Sequence, residues 1–389
     1  MSSSSPWPGL AWEDKIWDPA TGIGRGRYKS SIPPSIAGLD PAPSPEAVEA
    51  AASATTELSR FDAELGHRVA AFAPVLLRSE SASSSQIENL TASARAIFSA
   101  ELGAKAGRNA ELITSNTQSL RAALELSGDI SPEAIREMHR ILMAEQPRHT
   151  PGHWRDEAVW IGTRTDSPIG ADFVAPDPEL VPALIADLTA FAHRRELPPL
   201  TSVAVAHAQF ETIHPFSDGN GRTGRALAQA MLRHRGVTRN VAVPVSAGLL
   251  ADVEGYHHAL TEYRSGDVSP IVLAFAHASL RAISNSRRLI AEIDRIRDSW
   301  TDRLTVRRSS NAWRLLEVIA RRPVLDAATA AEELGVQRPN VYPPLEALVD
   351  AGILTAKAEH RLGPFWRSPE ILDAIDDFAA RAGRREMPR

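Results

Sequence analysis

The chain has 389 residues, 43% hydrophobic and 23% charged, with 43 Lys and Arg nearly balanced by 48 Asp and Glu. That length predicts roughly two or three domains with ample core, and a formal net charge of −5 excludes a global basic field for nucleic acid or membrane. The absence of cysteine excludes disulfides, thiolate metal sites and a cysteine nucleophile. Residues 1–45 are proline-rich, carry Trp7, Trp12 and Trp17, and show little periodicity. They predict an extended arm ending in a strap at 28–36 that packs onto the next domain. The N-terminus has no apolar signal core, and apolar stretches such as Ile271 to Ala276 are too short to span a bilayer. The expectation is a soluble cytoplasmic protein without membrane contact.

From Pro45 the pattern turns helical. A helix is expected from Pro45 to Leu65, with Gly66 at its C-terminal end. Further helices are expected near 85–102, 114–126, 132–144, 179–193, 202–213, 222–234, 256–264 and 270–298. Residues 148–178 interrupt this run with Gly152, Gly162, Pro168, Gly170, Pro176 and Pro178. Short β-like pieces at Val159-Trp160-Ile161 and Asp172-Phe173-Val174 predict a hairpin between helices. Beyond Asp298 the spacing predicts helices at 312–321, at 327–334 closed by Gly335, and from Asn340 to Gly352. Strands follow near Ile353–Thr355 and Pro364–Trp366. The fold class is thus mostly α with a short β-hairpin. The chain divides into an arm (1–45), an N-terminal helical region (46–130), a core (131–298) and a C-terminal domain (299–389).

The most informative stretch is His214 to Arg225, His-Pro-Phe-Ser-Asp-Gly-Asn-Gly-Arg-Thr-Gly-Arg. An apolar helical run precedes it and another helical run follows. It is therefore a loop opening onto a helix N-terminus, where unmatched N–H groups and the macrodipole attract anions. A His-Pro at a helix end, an Asp-Gly-Asn-Gly turn and two arginines on one face are each usually structural. Joined in this order between two apolar runs, they point to a site. The histidines His207, His214, His257 and His258 match no zinc spacing.

The string resembles the signature of the Fic family, His-Pro-Phe-x-Asp/Glu-Gly-Asn-Gly/Lys-Arg-x-x-Arg, and fills every fixed position. The resemblance implies a Fic-type helical core that transfers AMP from ATP, with Mg²⁺, to a protein hydroxyl. Chemistry assigns compatible roles. His214, with an ordinary pKa near ~6.5, suits the general base. Asp218 suits Mg²⁺, which takes one or two carboxylates together with phosphates. Gly219 and Gly221 let backbone approach phosphate without a Cβ, and Asn220 can donate its amide to a phosphate oxygen. Arg222 and Arg225, three apart, share a helix face and can grip neighbouring phosphates, with Thr223 and Gly224 between them. Phe216 is expected to anchor the loop in the core.

A second resemblance lies upstream. Ser84, Glu88 and Asn89 fit the family's inhibitory motif, Ser/Thr-x-x-x-Glu-Gly/Asn. By analogy, Glu88 pairs with Arg225 and blocks the position of the ATP γ-phosphate. The bland alternative is that Ser85-Gln86-Ile87-Glu88 is a capping box that merely starts a helix. The subclass resembled is the one whose inhibitory helix precedes the core.

The 159–174 hairpin resembles the family's flap, which docks an extended target segment by strand addition; Ile161, Gly162 and Val174 are its candidate contacts. Tyr256-His257 stands where relatives carry Tyr-Tyr near the adenine. The C-terminal pattern resembles a winged helix-turn-helix, with Ala330, Ala331, Leu334, Gly335 and Val336 at its turn. Its third helix includes Gln337, Arg338, Asn340 and Tyr342 but also Pro343-Pro344, a poor footprint for phosphate. Protein docking or a homodimer contact is favoured there over DNA.

The reading is an ATP-dependent protein adenylyltransferase, autoinhibited by Glu88, acting on a Ser, Thr or Tyr hydroxyl of a protein target, with self-modification compatible. One rival is removal of AMP from a modified protein, with Glu88 aligning water. A rival of another class is a nucleotide-sensing DNA-binding regulator.

Overall fold

The computed structural model describes residues 7–18, 24–162, 164, 166–359 and 362–383. Strands β1 (Ala11–Trp17) and β2 (Gly26–Ile32) come first, followed by α1 (Pro45–Leu65), α2 (Val69–Ile87), α3 (Ala94–Glu101), α4 (Arg108–Glu125) and α5 (Pro132–Leu142). Strands β3 (Trp160–Ile161) and β4 (Phe173–Val174) precede α6 (Val181–Ala192), α7 (Pro199–Ile213) and α8 (Asn220–His234). Then come α9 (Val245–Leu250), α10 (Val253–Ser265), α11 (Ser269–Arg303) and α12 (Asn311–Arg321). The chain ends in β5 (Val324–Leu325), α13 (Ala327–Leu334), α14 (Tyr342–Asp350), β6 (Thr355–Glu359), β7 (Gly363–Arg367) and α15 (Pro369–Ala382). The protein is mostly helical. Among the described residues, no helix is long and apolar enough to cross a membrane.

Two compact units emerge, and their division falls within α1, α4 and α11. The first holds residues 1–59, 118–239 and 252–278. Its axis is α7, buried continuously from Leu200 to Ile213. Helices α6, α8 and α10 pack on α7, and α5 packs on α8. Leu188, Phe191, Val203, Phe210, Leu227 and Met231 form the core between them.

The expected strap does pack onto the helices of this unit, with Gln209 Nε2 donating to Pro34 O at 2.9 Å and Ile36 N–H to Asp187 Oδ2 at 2.6 Å, but residues 11–32 form a hairpin that the expected arm did not include. β1 and β2 pair antiparallel from Ala11↔Ile32 to Trp17↔Gly26. Four consecutive residues of β1 (Ala11–Asp14) are exposed, so the strand lacks the alternation that betrays a half-buried one.

The second unit holds residues 60–117, 240–251 and 279–389. Helix α2 is central to it, packing with α9, α12 and α15. The sequence hid α2 because its buried face is polar, from Ser79 to Ser85. Much of that face is hydrogen-bonded, although the buried Ser79 hydroxyl has no partner among the described residues. Ser81 and Ser85 hydroxyls donate to the carbonyls of Leu77 and Ser81, and Asn116 Nδ2 donates to Ser81 O at 2.9 Å and to Ser85 Oγ at 3.1 Å. Buried Glu80 accepts from the Ser246 N–H (2.9 Å) and hydroxyl (2.7 Å) at the head of α9. The expected 85–102 helix is in fact two pieces: α2 stops at Ile87, and α3 starts after Ser93, whose hydroxyl caps Ala96 N–H. In the C-terminal part, α12, α13 and α14 are joined by an antiparallel sheet of order β5-β7-β6.

Candidate active site

The site begins where α7 ends. Pro215 disfavours helical backbone at the residue before it. His214 accordingly leaves the helix with left-handed φ 51° and ψ 61°, its N–H still bonded to Phe210 O at 2.9 Å. A non-glycine residue held there is strained, a state that clusters at functional sites. Nδ1 faces Glu211 O at 3.4 Å. With Nδ1 donating, Nε2 keeps its lone pair. Burial, then the charges of Arg264 and Arg155, push the imidazole down to about 4, so it is neutral at physiological pH.

The loop beyond is braced from inside. Phe216 is fully buried, stacked on His139 with centroids 3.6 Å apart and flanked by Trp154 and Phe210. Asn220 has a role in the loop that the sequence did not show. Its Oδ1 accepts from Phe216 N–H (2.9 Å) and its Nδ2 donates to Phe216 O (2.8 Å), so the buried amide ties the loop to itself. Gly219 takes φ 74° as the residue before α8, where a Cβ would press on Leu142 and Met143 at 3.1 Å. Its N–H donates to Asp218 Oδ1 at 2.6 Å.

Asn220, Gly221 and Arg222 form the first turn of α8, ahead of Thr223 N–H, which reaches back to Gly219 O at 3.0 Å. Such a turn presents its N–H groups outward. Arg222 Nη2 lies 3.6 Å from Asp218 Oδ1, and His149 Nε2 lies 3.6 Å from Asp218 Oδ2. Arg222 and Arg225 are both buried, unlike a solvated pair. Thr223 and Gly224, expected among the phosphate contacts, instead belong to the helix contact. Thr223 is fully buried, and a Cβ on Gly224 would lie 2.7 Å from Glu211 Oε1 and 2.9 Å from Phe210. Close approach of α7 and α8 requires that glycine.

Around this centre, Tyr256 is buried with its hydroxyl 2.7 Å from His207 Nε2, whereas His257 lies at the surface. Of the two nucleobase candidates, only His257 offers an exposed ring. Its pKa is pushed down by partial burial and by Arg225 and Arg264. Among the described residues no group of three His, Asp or Glu is placed to hold a metal by itself. A single part-exposed carboxylate at the head of an anion-binding turn, Asp218, does suit a cation whose other ligands are phosphate oxygens and water.

The hairpin forms as expected: Trp160 pairs with Val174 and Ile161 with Phe173. Bonds from Asp172 N–H to Ile161 O and from Ala175 N–H to Val159 O extend it. Gly162 closes on Ala171, leaving 3.0 Å to an added Cβ. Ile161 is 46% exposed, but Val174, also expected to meet a target, is buried. Sequence reasoning missed the neighbours of the hairpin. Ser30 Oγ of β2 donates to Ala175 O, and Trp12 meets Phe173 edge-on. A cavity of about 350 Å³ opens there, lined by Trp12, Tyr28, Asp172, Phe173 and Val174. The Arg264 guanidinium lies 3.7 Å above the Phe173 ring.

In the other unit, Ser84 is buried near the end of α2, and Glu88 is the first residue beyond it. Glu88 N–H still bonds Ser85 O, and Asn89 turns left-handed at φ 61°. The motif therefore ends a helix, which overturns the capping-box alternative. It also explains the last position, because Gly and Asn are the residues that adopt this conformation most readily.

Residues 129–232 match the model of the Fic/DOC family. The protein adenylyltransferase Fic of Nematostella vectensis is 26% identical over 163 residues, 41% of this chain and 35% of that protein. The protein adenylyltransferase fic-1 of Caenorhabditis elegans is 28% identical over 158 residues, 40% of this chain and 28% of its own. The chain thus spans about a third of the length of such curated relatives. A Fic family protein from Desulfovibrio desulfuricans G20 superposes with a TM-score of 0.54 at 21% identity, covering 85% of this chain and 98% of that one. This chain carries a Fic domain over residues 129–232 and has the fold of that solved Fic protein.

Proposed function

We propose that this protein is an ATP-dependent protein adenylyltransferase. The observation that carries the reading is one arrangement: a neutral His214, held left-handed at the end of α7, six residues ahead of the first residue of α8, with Asp218, Arg222 and Arg225 in the same motif. The names of the curated relatives support it.

In the reaction, a Ser, Thr or Tyr hydroxyl of the target attacks the α-phosphorus of ATP. Nε2 of His214 takes the hydroxyl proton, the bond between the α-phosphorus and the β-bridging oxygen breaks, and pyrophosphate leaves. The N–H groups of the α8 first turn and the two arginines receive the phosphate charge. Asp218 would hold Mg²⁺, which neutralises phosphate charge when bound. His257 is the candidate surface for the base. The hairpin, with exposed Ile161 and the adjoining aromatic cavity, would seat an extended target segment.

Glu88 would restrain this activity by competing with the terminal phosphate. The Ser84–Glu88–Asn89 motif and its position at a helix end support that role. The three C-terminal helices and their antiparallel sheet support a winged helix that docks protein. Incubation with α-labelled and γ-labelled ATP, followed by mass spectrometry of the products, tests the activity. Label retained on protein only from the α-position is the expected result; label from the γ-position would show phosphoryl transfer instead.

A further inference from the structure

Arg155 is a buried guanidinium whose side-chain acceptors are all backbone carbonyls. Nε donates to His214 O at 2.8 Å, and Nη2 reaches Ile213 O at 3.4 Å. These are among the last carbonyls of α7, which lack partners within the helix, and a cation at a helix C-terminus also meets the favourable end of the dipole. Nη1 donates to Glu157 O at 2.9 Å and Nη2 to Pro176 O at 2.5 Å. Glu157 lies two residues before the first residue of the hairpin ladder, Val159, and Pro176 directly follows the last, Ala175. The Arg155 N–H adds a bond to Pro215 O at 3.0 Å. One side chain thus joins both feet of the hairpin to the backbone of the candidate base. Only a planar fork with five donors spans these directions; a lysine ammonium cannot.

We propose that Arg155 is a positioning residue that locks the hairpin to His214, so that a target segment seated on the hairpin meets the base in one fixed register. The second half rests on the adenylyltransferase reading; the lock itself does not. A lock predicts that the hairpin and the His214 turn loosen together. A merely local structural role predicts that one loosens alone.

The test is amide hydrogen exchange on the full chain, comparing wild type with Arg155→Lys and Arg155→Gln. Arg155→Lys keeps the charge and guards against a variant that fails to fold. Exchange at Asp172 and Ala175 in the hairpin and at His214 at the helix end should rise together, by about tenfold or more, while amides of α6 stay unchanged. Loosening of the hairpin with His214 unchanged, or no loosening at either place in folded Arg155→Lys, would overturn the lock. In AMP incorporation, Arg155→Lys should lower kcat about tenfold while KM for ATP stays within about twofold. An equal fall confined to ATP binding would overturn the positioning role. Should wild type transfer no nucleotide at all, the adenylyltransferase reading falls, while the exchange measurement still decides the lock.

Discussion

The imidazole of His139 lies flat on the ring of Phe216, with centroids 3.6 Å apart and planes 8° from parallel. Nδ1 of His139 accepts the Gly152 N–H at 3.0 Å, so Nε2 carries the proton and donates to Asp218 O at 3.1 Å. Burial pushes this imidazole down to about 4, which keeps the neutral form that the two bonds require. The candidate catalytic loop is therefore clamped twice: through the Asp218 carbonyl by His139, and through Phe216 by Asn220.

His139→Ala should remove the stack and leave two buried backbone groups without a partner, at a cost of about 2–4 kcal/mol. Thermal unfolding should register the loss, and nucleotide transfer should fall with it. His139→Gln, which can replace one of the two bonds, should lie between. An unchanged melting temperature for His139→Ala would show that the clamp carries no load.

His214→Ala should lower turnover by about 10²–10⁴-fold while ATP affinity stays within a few-fold. The pH profile supplies a second check. Protonation removes the base, and its pKa sits near 4, below the ordinary histidine value. Activity should therefore hold as pH falls through 6.5 and decline only on approaching 4. A decline centred near 6.5 would mean that the base is a solvated histidine.

Stability should follow the same sign. His139, His207 and His214 have folded pKa values of about 4, 3 and 4, all depressed by burial. Below about 6.5 the unfolded chain binds more protons than the folded one, so their stabilisation is complete above that pH and lost as pH falls towards 4. Denaturant unfolding at pH 7.5, 6 and 5 should show falling stability, and His207→Gln should reduce the slope. A slope that His207→Gln leaves unchanged would remove that histidine from the account.

Much of this was legible in the chain, for local reasons. The His214–Arg225 string is contiguous, and its chemistry can be read without folding it. Helix α1 is marked at both ends by Pro45 and Gly66, and the end of α13 by Gly335. What escaped is non-local. Helix α2 hides a polar face whose Ser81, Ser85 and Glu80 meet Asn116 and Ser246, which are distant in the sequence. His139, Arg155 and Arg264 are single residues far from the motif, with nothing in their neighbourhoods to mark them. Asn220 was assigned by its chemistry, but in the fold its amide finds the Phe216 backbone four residues away.

Asp218→Ala should abolish the dependence of nucleotide binding on Mg²⁺, since Asp218 is the only carboxylate in the His214–Arg225 motif. Calorimetric titration with ATP, with and without the metal, should then give matching affinities. A persistent metal effect would place the cation on another residue.

Ile161, exposed on the hairpin, is the clean probe of target docking, because charge at buried Val174 would perturb the fold itself. Ile161→Glu should reduce modification of protein targets by about tenfold or more and leave ATP binding intact. Equal labelling of target proteins by variant and wild type would make the hairpin a structural element only.

Glu88→Gly should raise AMP transfer. A carboxylate that occupies the place of the terminal phosphate must be displaced before ATP sits productively. At about 2–4 kcal/mol, that displacement corresponds to roughly 30- to 1,000-fold in productive binding. Because Glu88 is the C-cap of α2, at φ −95° and ψ 21°, and not an interior residue, glycine there should cost less than the ~1 kcal/mol expected inside a helix. Stability and activity should therefore separate cleanly: nearly unchanged melting with a large gain in transfer. Glu88→Gln retains the shape, weakens the charge and should give an intermediate gain. Removal of AMP from a modified protein would behave oppositely, since loss of Glu88 would then abolish activity. A folded Glu88→Gly protein that binds ATP normally and transfers AMP no faster than wild type would exclude the restraint altogether.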